Sequence, residues 1–104
     1  MNLSQLQYFK VLAQEEHYTR AAKMLSITQP SLSHAISQLE QELGTRLFEK
    51  KGRNVVLTRY GKMFLPYVDE SLKVLNEGVQ RIQEVNGSRH GIIHLSLIHI
   101  SEPT

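Results

Sequence analysis

Residues 18–37 read YTRAAKMLSITQPSLSHAIS, and this stretch decides the fold. It contains two short helical patterns that meet at a polar turn. The first runs to Leu25 and has Thr19 as a plausible cap, and the second starts near Pro30, which a first helical turn tolerates. The pair Ala21–Ala22 supplies small side chains where two helices must approach closely. These features together predict a helix-turn-helix over about residues 18–37.

The second helix of this motif has one apolar side and one polar side. Leu32, Ile36 and Leu39 fall at helical spacing and predict the buried side. The opposite side carries hydroxyl, amide and imidazole groups that can hydrogen-bond to base edges and phosphates, with no carboxylate before Glu40. Backbone N–H groups at the start of the helix also favour a nearby phosphate. The DNA-binding residues predicted for the helix-turn-helix are Arg20, Thr28, Gln29, Pro30, Ser31, Ser33, His34, Ser37 and Gln38. The alternative is a polar, solvated helix in a small bundle.

The segment before this motif predicts a first helix over residues 3–16, with apolar side chains at helical spacing. Ser4 and Gln7 have the spacing of a capping box for that helix, and the apolar pattern also permits a start one residue earlier or later.

The segment after the motif predicts a wing. Gly44 is a helix stop, and β-prone runs on both sides of residues 51–54 predict a hairpin with Gly52 in the turn. Lys50, Lys51 and Arg53 lie at its tip, where a wing would meet the DNA backbone or minor groove. A charged tip can also be a solubilising turn, so this interpretation depends on the neighbouring helix-turn-helix.

A long helix follows, capped by Thr58 and reaching about Asn86, with Pro66 expected to kink it or leave one carbonyl unpaired. Apolar residues spaced alternately by three and four form a narrow seam typical of coiled coils. The predicted dimerisation residues are Leu65, Val68, Leu72, Leu75, Val79 and Ile82. The stripe could instead pack on its own domain, but the helix is longer than the three helices it would cover. The fold class is therefore mainly α, a winged helix-turn-helix followed by a long dimerisation helix.

Composition excludes several other classes of protein. The chain has 104 residues, no Cys and a formal net charge of +2. Without Cys there is no disulfide scaffold, thiolate zinc site or cysteine nucleophile. We see neither an apolar run long enough for a membrane span nor a secretory leader, so we expect a cytoplasmic protein. The span from His17 to Leu39 has no acidic residue, and that from Arg46 to Lys62 has six basic residues and one acidic one. Such a distribution is compatible with a phosphate-facing surface.

Several motifs, in order, resemble the N-terminal region of LysR-type transcriptional regulators. They are Leu6-Gln-Tyr-Phe9, Thr19-Arg-Ala-Ala22, Thr28-Gln-Pro-Ser-Leu-Ser33, Ile36-Ser-Gln-Leu-Glu40, Leu43-Gly-Thr-Arg-Leu-Phe-Glu49, and Leu57-Thr58 with Gly61. The resemblance covers residues 1 to about 94. It implies a winged helix-turn-helix over about 1–58 that binds double-stranded DNA, and a dimerising linker helix over 59–86.

The resemblance also implies what surrounds this region and which residues it uses. Family members continue into a periplasmic-binding-protein-like domain for a small-molecule effector, and they are commonly tetramers. By position, Gln29, Pro30, Ser31 and Ser33 lie on the DNA-facing turn and helix, and Arg53 lies in the wing. His34 departs from the family, which often has Arg there. Because an imidazole cannot make the bidentate contact of a guanidinium, the base read at that position is open.

The C-terminal residues have a different character. Residues 87–94 resemble a hinge and the first strand of an effector domain, whereas residues 95–104 resemble the translation of a sequencing-library adapter. We therefore expect 95–104 to be non-native and the effector domain to be missing from this sequence. A natural short C-terminus is the alternative.

Other function classes have little support in the sequence. His90, His94 and His99 could indicate metal binding, but they flank the hinge and the foreign-looking tail, with no carboxylate nearby until Glu102. Adjacent side chains on a helix point about 100° apart, so Ser33 and His34 do not form a nucleophile–base pair. We therefore expect no enzyme, no cofactor and no metal. The remaining alternative is a dimerising helical interaction module without specific DNA binding.

Overall fold

The computed structural model describes residues 1–87 as four helices and one two-stranded antiparallel sheet. The predicted tail at 95–104, the three histidines at 90, 94 and 99, and all of the hinge except Gly87 lie outside the described residues. The elements are α1 (Leu3–Glu15), α2 (Tyr18–Leu25), α3 (Gln29–Leu43), β1 (Phe48–Lys51), β2 (Asn54–Leu57) and α4 (Arg59–Asn86). Within residues 1–87, no helix has both the length and the apolar character needed to cross a membrane. The predicted order of three helices, a hairpin and a long helix is confirmed.

The caps of two helices differ from the prediction. Helix α1 is capped by Asn2, whose Oδ1 accepts from the Gln5 N–H at 2.9 Å, while Gln5 Oε1 accepts from the Asn2 N–H at 3.1 Å. The capping box thus lies two residues before the predicted pair of Ser4 and Gln7. Both pairs have suitable spacing, and the earlier one extends the helical hydrogen bonding by two residues.

Helix α2 is capped by His17 rather than by Thr19. The imidazole Nδ1 of His17 accepts from the Arg20 N–H at 3.2 Å. Glu16 adopts a left-handed conformation with φ of 56°, which turns the chain so that extended His17 leads directly into the helix. Thr19 is therefore inside the first turn of α2, where its hydroxyl is available to another element.

The core brings together all the elements around Phe9. This side chain is fully buried, and its ring centroid lies 5.5 Å from that of Phe48 on β1 and 5.5 Å from that of Phe64 on α4. Aromatic pairs at this separation add stabilisation to that expected from the apolar area they bury. Ala21 and Ala22 are buried as predicted, and α2 packs against both α1 and α3. The other fully buried large side chains are Leu12, Leu32, Ile36, Leu39, Leu47 and Val68.

The start of α4 is locked to the segment before β1. The Thr58 hydroxyl accepts from the Gly61 N–H at 3.2 Å and donates to the Arg46 carbonyl at 2.7 Å. The Thr58 N–H donates to the Leu47 carbonyl at 2.9 Å. Gly61 lies so close that a Cβ there would be 2.4 Å from the Leu47 carbonyl oxygen. Thr58 is thus the cap that was predicted, and α4 continues as a helix through Pro66.

The predicted dimerisation seam requires a correction in its first half. Val68 is 2% exposed and belongs to the core, and Leu65 and Leu72 pack against that core. These three residues therefore pack against the helix's own domain. Apolar periodicity shows that one face of a helix is covered, but it does not show whether the same chain or a second copy covers it. In the second half, Leu75 and Ile82 are 43% and 64% exposed. Val79 is half-buried.

Candidate nucleic-acid interface

The two sides of α3 are divided as predicted. Leu32, Ile36 and Leu39 are at most 1% exposed, and they fix which side of the helix faces inward. Pro30, His34 and Ser37 follow one another along the outward side at intervals of about one turn. All nine residues predicted as DNA contacts from the helix-turn-helix are exposed: Arg20, Thr28, Gln29, Pro30, Ser31, Ser33, His34, Ser37 and Gln38. The structure therefore presents one continuous polar surface along α3.

The start of α3 has fewer free backbone N–H donors for a phosphate than an uncapped helix end would have. The Thr28 hydroxyl accepts from the Ser31 N–H at 3.1 Å and donates to Ser31 Oγ at 2.9 Å. Pro30 has no N–H, so Gln29 alone among the first three residues keeps an uncommitted backbone donor. The Gln29 side-chain oxygen accepts from the Thr19 hydroxyl at 3.1 Å, which orients its amide nitrogen for donation elsewhere. Contacts at this end must come mainly from side chains.

Arg20 is partly committed to the protein itself. Its Nε lies 3.4 Å from Glu15 Oε1, and its Nη2 donates to the Glu15 carbonyl at 3.0 Å. The side chain is 59% exposed, so it can still reach solvent. Because a carboxylate offsets its charge, Arg20 is a weaker candidate for a phosphate contact than its sequence position indicated.

The wing carries its cations without such competition. Lys50, Lys51 and Arg53 are exposed at the hairpin tip, around Gly52 with φ of 65°. None of the ion pairs formed within residues 1–87 involves these three side chains. The Val55 N–H donates to the Glu16 carbonyl at 3.1 Å, which holds the hairpin to the turn between α1 and α2. The basic tip is therefore held on a supported hairpin.

Glu40 connects α3 to the wing, and the sequence did not identify this role. Its Oε2 accepts from the Leu47 N–H at 2.7 Å and from the Phe48 N–H at 3.2 Å. Its Oε1 lies 3.3 Å from Arg46 Nε, and the side chain is only 12% exposed. The partners follow Glu40 by six to eight residues, beyond a glycine turn. Because that turn ends the helix, neither the period of a helix nor that of a strand relates these residues, so the sequence pattern could not indicate that Glu40 contacts these partners.

A surface groove of about 570 Å³ lies beside this connection. Its walls include Ser33 and Ser37 of α3, Tyr18 of α2, and Arg46 from the loop before β1. Burial raises the pKa of the Tyr18 phenol above its ordinary value, the Glu40 carboxylate raises it further, and Arg46 acts in the opposite direction. Tyr18 therefore presents a neutral hydroxyl group. Tyr18 and Arg46 are polar groups beside the recognition surface that the sequence analysis did not include as site residues.

Comparisons with known proteins agree with this architecture. The family described as "Bacterial regulatory helix-turn-helix protein, lysR family" matches residues 3–62. The chain is 43% identical over 99 residues to the uncharacterized HTH-type transcriptional regulator YybE of Bacillus subtilis (strain 168), covering 95% of this chain and 34% of that protein. It is 36% identical over 98 residues to the HTH-type transcriptional regulator AlsR of the same organism, covering 94% and 32%. The chain thus spans about a third of the length of these curated relatives.

Solved structures show the same similarity. The BenM_DBD/catB site 1 DNA complex matches with a TM-score of 0.80 and 36% identity over 86% of this chain and 100% of that one. CbnR, a LysR family transcriptional regulator, matches with a TM-score of 0.75 and 31% identity over 80% and 29%. The winged helix-turn-helix with its long following helix is thereby confirmed, and the chain belongs to the lysR family of bacterial regulatory helix-turn-helix proteins.

Proposed function

We propose that this chain is the DNA-binding region of a LysR-type transcriptional regulator that inserts α3 into the major groove of double-stranded DNA. The observation that carries this proposal is the exposed, acid-free surface at the start of α3 beside a wing with three uncommitted cations. A recognition helix reads bases with its N-terminal residues. Gln29, Ser33 and His34 are therefore the candidates for base contacts, and their short or planar polar groups suit hydrogen bonds to base edges.

In this proposal the wing supplies backbone contacts without sequence information. Each phosphate neutralised by a cation releases counterions, so each contact adds about 0.9 to the slope of log affinity against log salt on duplex DNA. Lys50, Lys51 and Arg53 would together contribute up to about 2.7 of that slope on the same basis. Arg20, offset by Glu15, would contribute less.

Fluorescence anisotropy with a labelled random-sequence duplex, titrated with the full chain at several salt concentrations, tests DNA binding. We expect binding that weakens steeply with salt, and a smaller slope when Lys50, Lys51 and Arg53 are changed together to Gln. The matched control changes Lys10 on α1 and Lys73 and Arg81 on α4 to Gln, which removes the same charge outside the predicted recognition surface. No binding at micromolar protein and low salt would refute the proposal and favour the alternative, an interaction module without DNA binding.

We also propose that the second half of α4 pairs with a second copy of the chain. Besides Leu75 and Ile82 from the predicted seam, this half exposes Val74 at 52% and Val85 at 78%. Exposed apolar side chains in a row along one helix are typical of a protein interface. Paired recognition helices suit paired half-sites on one face of a duplex. In the complete regulator we propose a tetramer, with a small-molecule effector bound by a further domain.

Sedimentation velocity with two matched variants tests the dimer. Val85→Asp should give a folded monomer, because Val85 is exposed at the end of α4. Val68→Asp should instead lower the melting temperature, because it places a charge in the core. A Val85→Asp protein that sediments like the unmodified chain would exclude this end of α4 from the interface.

We assign no enzymatic activity or cofactor to the chain, because the relatives it matches are transcriptional regulators. The groups of His, Asp and Glu side chains within residues 1–87 include no cluster that could hold a metal ion. A protein that reads DNA must reach the chromosome, so we propose a cytoplasmic location in a bacterial cell.

A further inference from the structure

The groove between α3 and the loop before β1 has the features of a second DNA contact site, separate from the wing tip. We propose that this groove binds one backbone phosphate of the duplex, with the guanidinium of Arg46 as its charged ligand and the hydroxyls of Ser37 and Tyr18 as neutral donors. This inference rests on the proposed insertion of α3 into DNA and adds a contact to it.

The position of the groove follows from the dimensions of DNA. A helix with its side chains is about 10–12 Å wide, and the major groove of B-DNA is about 12 Å wide. A helix in that groove therefore has a sugar–phosphate strand along each flank. Ser33 and Ser37 are on the outward surface of α3 and also line this groove, so the groove opens along one flank of the recognition helix. A phosphate strand on that flank passes its opening.

Arg46 is the cation best prepared for this contact. Its side chain is 74% exposed, and its Nε is held 3.3 Å from Glu40 Oε1. Contact through Nε alone leaves the two terminal nitrogens of the guanidinium free to donate to a phosphate. Arg20, in contrast, uses both Nε and Nη2 on Glu15. The contact with Glu40 therefore orients the Arg46 guanidinium and leaves its terminal N–H donors available.

Glu40 is the one acidic group in the groove, and its oxygens are already engaged. Oε2 accepts from two backbone N–H groups, Oε1 pairs with Arg46, and the side chain is 12% exposed. Two backbone N–H groups and the Arg46 guanidinium thus offset its charge locally. The Tyr18 phenol is neutral at neutral pH, and burial raises its pKa further, so it adds a donor without adding charge.

The test compares Arg46→Gln with Lys73→Gln in the full chain, using anisotropy on several labelled duplexes of unrelated sequence. Gln at position 46 removes the charge but keeps an N–H donor for Glu40, so the loop before β1 retains a support. Lys73 is an exposed cation on α4, and its replacement matches the loss of net charge. We expect Arg46→Gln to weaken binding about 5- to 20-fold on every duplex alike and to reduce the salt slope by somewhat less than about 0.9, because Glu40 offsets part of the Arg46 charge. Lys73→Gln should change the slope much less.

Two further variants separate charge from hydrogen bonding. Arg46→Lys should restore the salt slope, because it restores the charge. Ser37→Ala should weaken binding about 2- to 5-fold with no change in slope, since a neutral donor releases no counterion. Melting temperatures confirm that each variant folds.

The outcomes distinguish this site from the proposed function as a whole. If the unmodified chain does not bind DNA, the proposed function fails and this site fails with it. If the chain binds with a steep salt dependence, but Arg46→Gln and Lys73→Gln have the same slope, DNA binding stands and the phosphate site is refuted. A loss of affinity confined to particular sequences would also refute the phosphate site, because a contact to phosphate does not depend on the base sequence.

Discussion

Replacing Gly61 by Ala tests how α4 is joined to the hairpin. Gly61 is in the first turn of α4, and its Cα faces the Leu47 carbonyl, which accepts the Thr58 N–H. An added Cβ would lie 2.4 Å from that carbonyl oxygen and 2.7 Å from Leu57 Cδ2. The leucine side chain can move aside. The carbonyl is backbone and already hydrogen-bonded, so relief requires α4 to shift away from β1.

The expected magnitude combines three effects of different sign. Overpacking in a well-packed region costs about 1–3 kcal/mol. Weakening the bond between Thr58 and Leu47 costs about 1 kcal/mol more. Ala is better than Gly in a helix by about 1 kcal/mol, which offsets part of the loss. We therefore expect Gly61→Ala to lower the free energy of unfolding by about 1–3 kcal/mol, or the melting temperature by roughly 5–20 °C for a domain of this size.

Gly78→Ala is the matched control in the same helix. A Cβ at Gly78 would meet nothing within 4 Å. Only the helical preference of Ala remains, so the control should raise the unfolding free energy by about 0.5–1 kcal/mol. Urea unfolding followed by circular dichroism at one low protein concentration measures both variants. If Gly61→Ala is as stable as the unmodified chain, or is stabilised like Gly78→Ala, the close contact with Leu47 is refuted.

Two further predictions concern the connection around Glu40. Glu40→Gln loses the ion pair with Arg46 and weakens the acceptor for Leu47 and Phe48, and we expect it to cost about 1–3 kcal/mol in urea unfolding; Glu77→Gln, exposed on α4, should stay within about 0.5 kcal/mol. Equal midpoints for these two variants would contradict the role of Glu40. The pKa of Tyr18 is raised in the folded chain, so its neutral form contributes to the free energy of unfolding. This contribution is fully present below the ordinary phenol pKa near 10 and is lost as the pH rises through the raised value. As the pH rises above about 10, Tyr18→Phe should therefore lose less stability than the unmodified chain, and parallel pH profiles in that range would show that Tyr18 does not contribute.

The parts of the fold that the sequence predicted correctly depend on local chemistry. Gly44, Gly52 and Thr58 lie where a left-handed residue or a cap is needed, and each acts within a few residues of itself. The caps of α1 and α2 were predicted at the wrong residues because several polar side chains near Asn2 and His17 can serve as caps. Small differences in chain path decide among them.

The parts that could not be predicted depend on contacts between distant elements. The apolar spacing on α4 is the same for Val68, which its own domain buries, and for Ile82, which remains exposed. Only the position of the domain relative to the helix separates the two. At the candidate site, the polar surface of α3 could be predicted from its periodicity. The pairing of Arg20 with Glu15 and the place of Arg46 in the groove required the arrangement of α1, α3 and the loop before β1.

The contact of Glu40 with β1 affects how α3 and the wing bind one DNA duplex together. The recognition helix and the wing are separate contact points, and once one has engaged DNA the other binds at an effective concentration set by how firmly they are held relative to each other. Glu40 ties α3 to β1, and the bond from Val55 to Glu16 ties β2 to the turn before α2. A substitution that loosens either link would lower affinity for every DNA sequence while touching no nucleotide. The choice of bases by α3 would stay the same.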